Sequence, residues 1–128
     1  MAAPSRPHAT VQAGPDPRPR VVDGPDGPAV AGTRCLAGGH PSLEPVDRCP
    51  VCGAASRETV FARTGTVFSS TVLRIPVGDL DPPVTLLYVD LDDGPRVLGH
   101  GTGAALVAPG SRVELGGATA RGDLWFTT

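Results

Sequence analysis

Cys49-Pro50-Val51-Cys52-Gly53 sets two thiols three positions apart with a glycine behind them, and Cys35 and His40 stand just upstream. A Cys-x-x-Cys turn followed by glycine converges two thiolates while backbone N–H groups point at the sulfurs. That arrangement suits half of a tetrahedral zinc site, and Cys35 with His40 would complete it. All three cysteines of the chain fall in this one window. Buried free thiols, a metal-free knuckle and a redox-active dithiol are the competing readings. A thioredoxin-type pair opens a helix after a buried strand, whereas Gly53-Ala54-Ala55-Ser56 leads into a β pattern here. Glu44 and Asp47 offer oxygen donors, which suit sulfur-rich partners less well. No general base or substrate-orienting cluster surrounds the window, so a zinc with an open catalytic position is disfavoured. The expectation is a closed structural zinc held by Cys35, His40, Cys49 and Cys52, with no catalytic residue.

Positioning four such ligands needs a loop that is neither helix nor strand. Cys35 to Cys52 is rich in Gly and Pro and carries neither period, as a metal-organised loop would. A short extended run, Ala29 to Arg34, leads into it. Beyond Ala54 the chain turns to β-formers between turn residues. Strands are expected at Thr59–Ala62, Thr66–Ile75, Val84–Leu91, Arg96–Gly99, Arg112–Leu115 and Asp123–Thr127. Leu87, Val89 and Leu91 alternate with Tyr88, Asp90 and Asp92, and Asp92-Asp93-Gly94-Pro95 is a turn. Five or six strands in roughly 70 residues, with no long 3.6 period, predict an all-β fold. It is a small OB-like barrel preceded by the metal-organised loop, with an SH3-like barrel as the second choice. Seven prolines from Pro4 to Pro28 block helix and ladder alike. The expected organisation is a disordered Pro-rich tail (1–28), a zinc ribbon (29–56) and the OB-fold barrel (57–128).

Composition excludes several function classes. The formal charge is −2, every basic residue is Arg, and no basic run occurs, which disfavours phosphate-backbone binding. Three cysteines argue against a secreted disulfide framework. No apolar leader or membrane-length run is visible, so a cytoplasmic protein is expected. Phe68, Trp125 and Phe126 are expected to fill the barrel or cover its contact with the ribbon, leaving no basic, aromatic face for an oligonucleotide.

The order of these pieces resembles a known family. The Cys-Pro-x-Cys-Gly knuckle is followed by Arg63-Thr64-Gly65-Thr66-Val67-Phe68-Ser69, then by Tyr88 to Gly99, then by Ala108-Pro109-Gly110-Ser111-Arg112-Val113. The sequence is similar, from about Thr33 to Phe126, to the zinc-ribbon/OB-fold proteins that accompany thiolases. The resemblance implies an all-β fold, a rubredoxin-like zinc ribbon that precedes and packs beside a small OB-like barrel, with no catalytic machinery of its own. It implies an accessory subunit that binds a thiolase-like or ketosynthase-like enzyme and helps handle acyl-CoA or acyl groups. A single-stranded nucleic-acid binder on the same fold is the alternative. Two departures stand out: a Pro-rich stretch replaces the family's N-terminal helical segment, and Gly38 occupies the place of the second cysteine of the first knuckle.

Three smaller features carry a bland reading beside a functional one. Gly99-His100-Gly101-Thr102-Gly103 lacks the following helix that a phosphate loop needs, so a flexible strand end with an ordinary loop histidine is expected. Arg63, Arg74 and Arg96 could grip CoA phosphates but are read first as solvated strand-end charges. Arg121-Gly122-Asp123 is a chance tripeptide in a chain of this composition.

Overall fold

The computed structural model describes residues 16–78 and 80–128, and every regular element among them is a strand. Strands β1 (Arg20–Gly24), β2 (Gly27–Cys35), β3 (Pro41–Ser42) and β4 (Ser56–Val60) make one antiparallel sheet in which β2 pairs with the other three. The remaining strands are β5 (Thr64–Leu73), β6 (Val84–Leu91), β7 (Arg96–Gly101), β8 (Arg112–Ala118) and β9 (Leu124–Thr127). They close a barrel in the order β5-β6-β7-β9-β8, with β7 and β9 parallel and the other pairs antiparallel. A three-strand meander closed by a return strand and a parallel insertion is OB-like, as expected, and displaces the SH3-like alternative.

The first sheet corrects one expectation. A disordered tail reaching residue 28 is not what these residues form: β1 pairs with β2 from Arg20↔Ala31 to Gly24↔Gly27. Proline falls here in the Pro25-Asp26 turn and at the start of β2, positions a hairpin tolerates. Val21 and Val30 supply the apolar surface, Val30 within the main core and Val21 packed against it. Residues 1–15, the rest of that expected tail, lie outside the described residues. At the other end β4 carries the ribbon sheet to Val60, past the boundary expected at residue 56.

Both sheets share one core. Val30 and Phe61 from the ribbon side cluster with Val67, Leu87, Val89, Leu115 and Phe126 of the barrel. Gly99 lies where a Cβ would come within 2.8 Å of the Phe126 ring, so a glycine here accommodates that packing. Arg63 bolts the two parts together: its guanidinium donates to the carbonyls of Pro28 (2.7 Å), Asp26 (2.7 Å) and Leu115 (2.9 Å). It also pairs with Glu114 at 3.0 Å. The β6–β7 turn adds a second latch, with Asp93 Oδ1 accepting from the Ala62 N–H at 2.7 Å and Arg34 donating to the Asp93 carbonyl.

Candidate metal centre

The end of β2 and the two loops that flank β3 bring Cys35, His40, Cys49 and Cys52 together, with one ligand atom from each lying within 4.8 Å of all the others. Two turns of the same design do this. In the first, the Gly39 N–H donates to the Cys35 carbonyl (3.2 Å) and the Cys35 N–H to the His40 carbonyl (3.1 Å). In the second, the Gly53 N–H donates to the Cys49 carbonyl (2.8 Å) and the Cys49 N–H to the Ala54 carbonyl (2.8 Å). Gly39 (φ 71°) and Gly53 (φ 74°) supply the left-handed residue that each turn needs.

Backbone N–H groups aim at the sulfurs. Gly38 and His40 each donate to Cys35 Sγ at 3.3 Å, and Val51 donates to Cys49 Sγ at 3.3 Å. Such donors stabilise thiolate. Burial pushes the Cys35 thiol up. The His40 and Gly38 N–H groups, with the imidazole and the Cys52 thiol, outweigh that and bring it down to about 6. Cys52 moves the other way: the Ala54 N–H favours its thiolate, but burial and the neighbouring Cys49 and Cys35 sulfurs raise it. A cluster that crowds several sulfurs together gains from a shared cation.

The separations can be tested against a metal. A tetrahedral ion with bonds of about 2.3 Å to sulfur and 2.0–2.1 Å to nitrogen has sulfur–sulfur edges near ~3.8 Å and sulfur–nitrogen edges near ~3.6 Å. The structure has Cys52 Sγ and Cys35 Sγ 3.8 Å apart, and His40 Nδ1 lies 3.3 Å from Cys35 Sγ and 3.7 Å from Cys49 Sγ. These three of the six edges match such an ion, with Nδ1 as the imidazole donor. Cys35 and Cys49 are buried while Cys52 is exposed, so the ligand cage meets solvent on one side.

The barrel's outer face holds what sequence reasoning missed. Phe68 does not fill the barrel: it is 51% exposed, because Val67 takes the inward position and alternation turns Phe68 outward, at a bulge between Val67 and Ser69. Arg96 stacks over its ring, 3.4 Å from the centroid, and pairs with Asp90 at 2.7 Å. Tyr88 and Leu98, also exposed, are direct partners across β6 and β7. So an aromatic, Arg-bearing patch does exist on this face, although carboxylates offset its charge. Beside it runs a groove of about 470 Å³ whose lining includes Leu86, Tyr88, Leu98 and His100 together with Pro17 and Arg18. His100 is no loop residue; it lies in β7 with Nε2 3.4 Å from Asp123 Oδ2. Phe126 is fully buried, while Trp125 is half-buried. Of the arginines considered for CoA phosphates, Arg63 is committed to carbonyls and Arg96 to Asp90 and Phe68, while Arg74 follows the end of β5.

Comparison with known proteins agrees with the fold. Residues 58–117 match the family described as ChsH2, C-terminal OB-fold domain. In three dimensions the chain is similar to a chain of the solved Ltp2-ChsH2(DUF35) aldolase, with 25% identity and a TM-score of 0.63. That match covers 77% of this chain and 84% of the other. No curated protein matches the sequence. These matches bear out the zinc-ribbon/OB resemblance drawn from the motif order.

Proposed function

We propose that this chain, whose barrel is an OB domain of the ChsH2 C-terminal type, is a non-catalytic accessory subunit. It would dock on a thiolase-like or ketosynthase-like enzyme and support that enzyme's handling of acyl-CoA or acyl groups. The observation that carries this reading is the similarity, over most of both chains, to a component of the Ltp2-ChsH2(DUF35) aldolase. The exposed Phe68, Tyr88 and Leu98 on one barrel face are consistent with a docking role, since contiguous apolar surface marks contact sites. Cys35, His40, Cys49 and Cys52 would hold a structural zinc that fixes the two turns; the ion neutralises the converging thiolates and supplies no reactive position. Co-expression with a candidate thiolase-like enzyme, followed by size-exclusion chromatography, tests the role. Co-elution and a change in the enzyme's activity are expected; independent elution with unchanged activity overturns it. For the metal, elemental analysis of the purified chain is expected to give one zinc per chain, lost in Cys49→Ser/Cys52→Ser.

A second reading has one observation in its favour: the Arg96–Phe68 stack beside Tyr88 on an OB face resembles a base-stacking platform. Asp90 and Asp92, paired to Arg96 and Arg112, weigh against it. Salt-dependent binding of a single-stranded oligonucleotide, abolished by Phe68→Ala, would establish this reading in place of the first.

A further inference from the structure

The two knuckles superimpose by their hydrogen bonds, Gly39 with Gly53 and His40 with Ala54, so Gly38 stands where the second knuckle has Cys52. The first knuckle therefore lacks a ligand at its fourth position and carries His40 at its sixth. Gly38 does more than mark a missing thiol. A Cβ built on it would lie 2.6 Å from His40 Cε1, 3.0 Å from Nδ1 and 3.3 Å from Nε2. A real Cβ does not approach a ring atom that closely, so the imidazole lies directly across the face of the Gly38 α-carbon. Any side chain at position 38 would push the ring away from Cys35 and Cys49.

We infer that Gly38 is the positioning residue of the metal centre. Its missing side chain admits His40 Nδ1 as the fourth donor, and positions 38 and 40 form an exchangeable pair in which a thiolate at 38 or an imidazole at 40 completes the site, but never both. The ligand is a divalent cation that accepts three thiolates and one imidazole, one anionic donor fewer than a four-cysteine ribbon offers. The inference rests on the metal reading proposed above and deepens it. It also accounts for the departure at Gly38, because the loss of a cysteine there is the condition for the histidine to bind.

The test is a Co²⁺ titration of the full chain read by visible absorption, with Zn²⁺ competition for affinity, on wild type, His40→Ala, Gly38→Ala and Gly38→Cys/His40→Ala. Gly38→Ala is expected to weaken binding by about 10- to 100-fold, as loss of a supporting residue does, and His40→Ala, which removes a ligand, by at least as much. The double variant is expected to recover wild-type affinity within a few-fold. Its sulfur-to-cobalt charge-transfer band should rise by about one-third as three thiolates become four. Recovery in the double variant shows that a side chain at 38 is compatible with a folded knuckle, so weak binding by Gly38→Ala is then not general misfolding. Gly38→Ala that binds Co²⁺ like wild type overturns the inference, as does a double variant no better than His40→Ala. Wild type that takes up no Co²⁺ overturns the metal reading itself, a result distinct from either of those.

Discussion

Phe61 and Phe68 offer a contrast that tests whether ribbon and barrel share one core. Phe61 is 2% exposed and clusters with Val30 of the ribbon sheet and the barrel leucines and valines. Arg34 lies over its ring at 5.5 Å from the centroid, and a Cβ on Gly94 would come within 2.9 Å of it, so the ring is enclosed from several sides. Truncation to Ala removes a buried ring that its neighbours cannot collapse to replace, at a cost of about 3–5 kcal/mol. Against a typical total of about 5–15 kcal/mol this is a large share. With a urea m-value of about 2 kcal/mol/M, a loss of about 4 kcal/mol moves the unfolding midpoint down by about 2 M. Phe68→Ala removes a ring that is 51% exposed and forfeits mainly its stack with Arg96, about 0.5–1 kcal/mol, or a midpoint shift below about 0.5 M. The assay is urea unfolding of metal-loaded protein followed by circular dichroism. Equal shifts for the two variants, or a Phe61→Ala shift under about 0.5 M, would refute the shared core.

Arg63→Ala leaves the Asp26, Pro28 and Leu115 carbonyls without their donor and is expected to cost about 1–3 kcal/mol in the same assay. Arg63→Lys should recover only part of it, since an ammonium cannot reproduce the fork; a full recovery would mean that charge alone matters. The Asp92 carboxyl is held well below its usual range by the Arg112 guanidinium and the Thr64 hydroxyl. A pKa lower in the folded than in the unfolded chain contributes stability that is present above about pH 4 and is lost as pH falls through the folded value. Asp92→Asn should therefore be less stable than wild type at neutral pH, with the gap closing at strongly acid pH; a gap that does not narrow below about pH 2 refutes the assignment. Metal removal by chelation should speed hydrogen exchange at the Gly39 and Gly53 N–H groups, which hold the two knuckle turns, while β6 amides stay protected. Equal deprotection of both would mean that the barrel needs the metal to fold.

How much of this was legible in the sequence depended on whether side chains or backbone carried the information. Strand β6 was expected and found at Val84–Leu91, because its alternation reports a buried face directly. Strand β4 was expected at Thr59–Ala62 and lies at Ser56–Val60. Its first residues, Ser56, Arg57 and Glu58, pair with β2 through the main chain and offer no apolar signal. Strand β1 was hidden by prolines that proved to mark a turn, and β3 is only two residues long. Phe68 was misplaced because its aromatic character suggested a core position, whereas the alternation set by Val67 already pointed it outward. The four candidate ligands were visible as residue types. What could not be read was that the ring of His40 needs the bare α-carbon of Gly38, a steric relation between positions two apart that exists only once the turn has formed.

Cys35, the one candidate ligand that lies in β2, ties the candidate metal centre to the rest of the fold. Cys35, a ligand candidate, ends the same strand in which Val30 enters the barrel core. Between them Arg34 covers Phe61 and donates to the carbonyl of Asp93 in the β6–β7 turn. β2 is enclosed on both faces from Ala29 to Thr33, and a slip by one residue would swap the faces of all its side chains and take Val30 out of the core. Fixing Cys35 in the cluster therefore fixes the register of β2, and through Val30 and Arg34 it fixes how the ribbon sheet meets β6 and β7. The exposed Tyr88 and Leu98 belong to those two strands. The candidate centre thus bears on the proposed docking through geometry: the register of β2 sets where the ribbon sheet stands relative to the barrel face that carries Phe68, Tyr88 and Leu98.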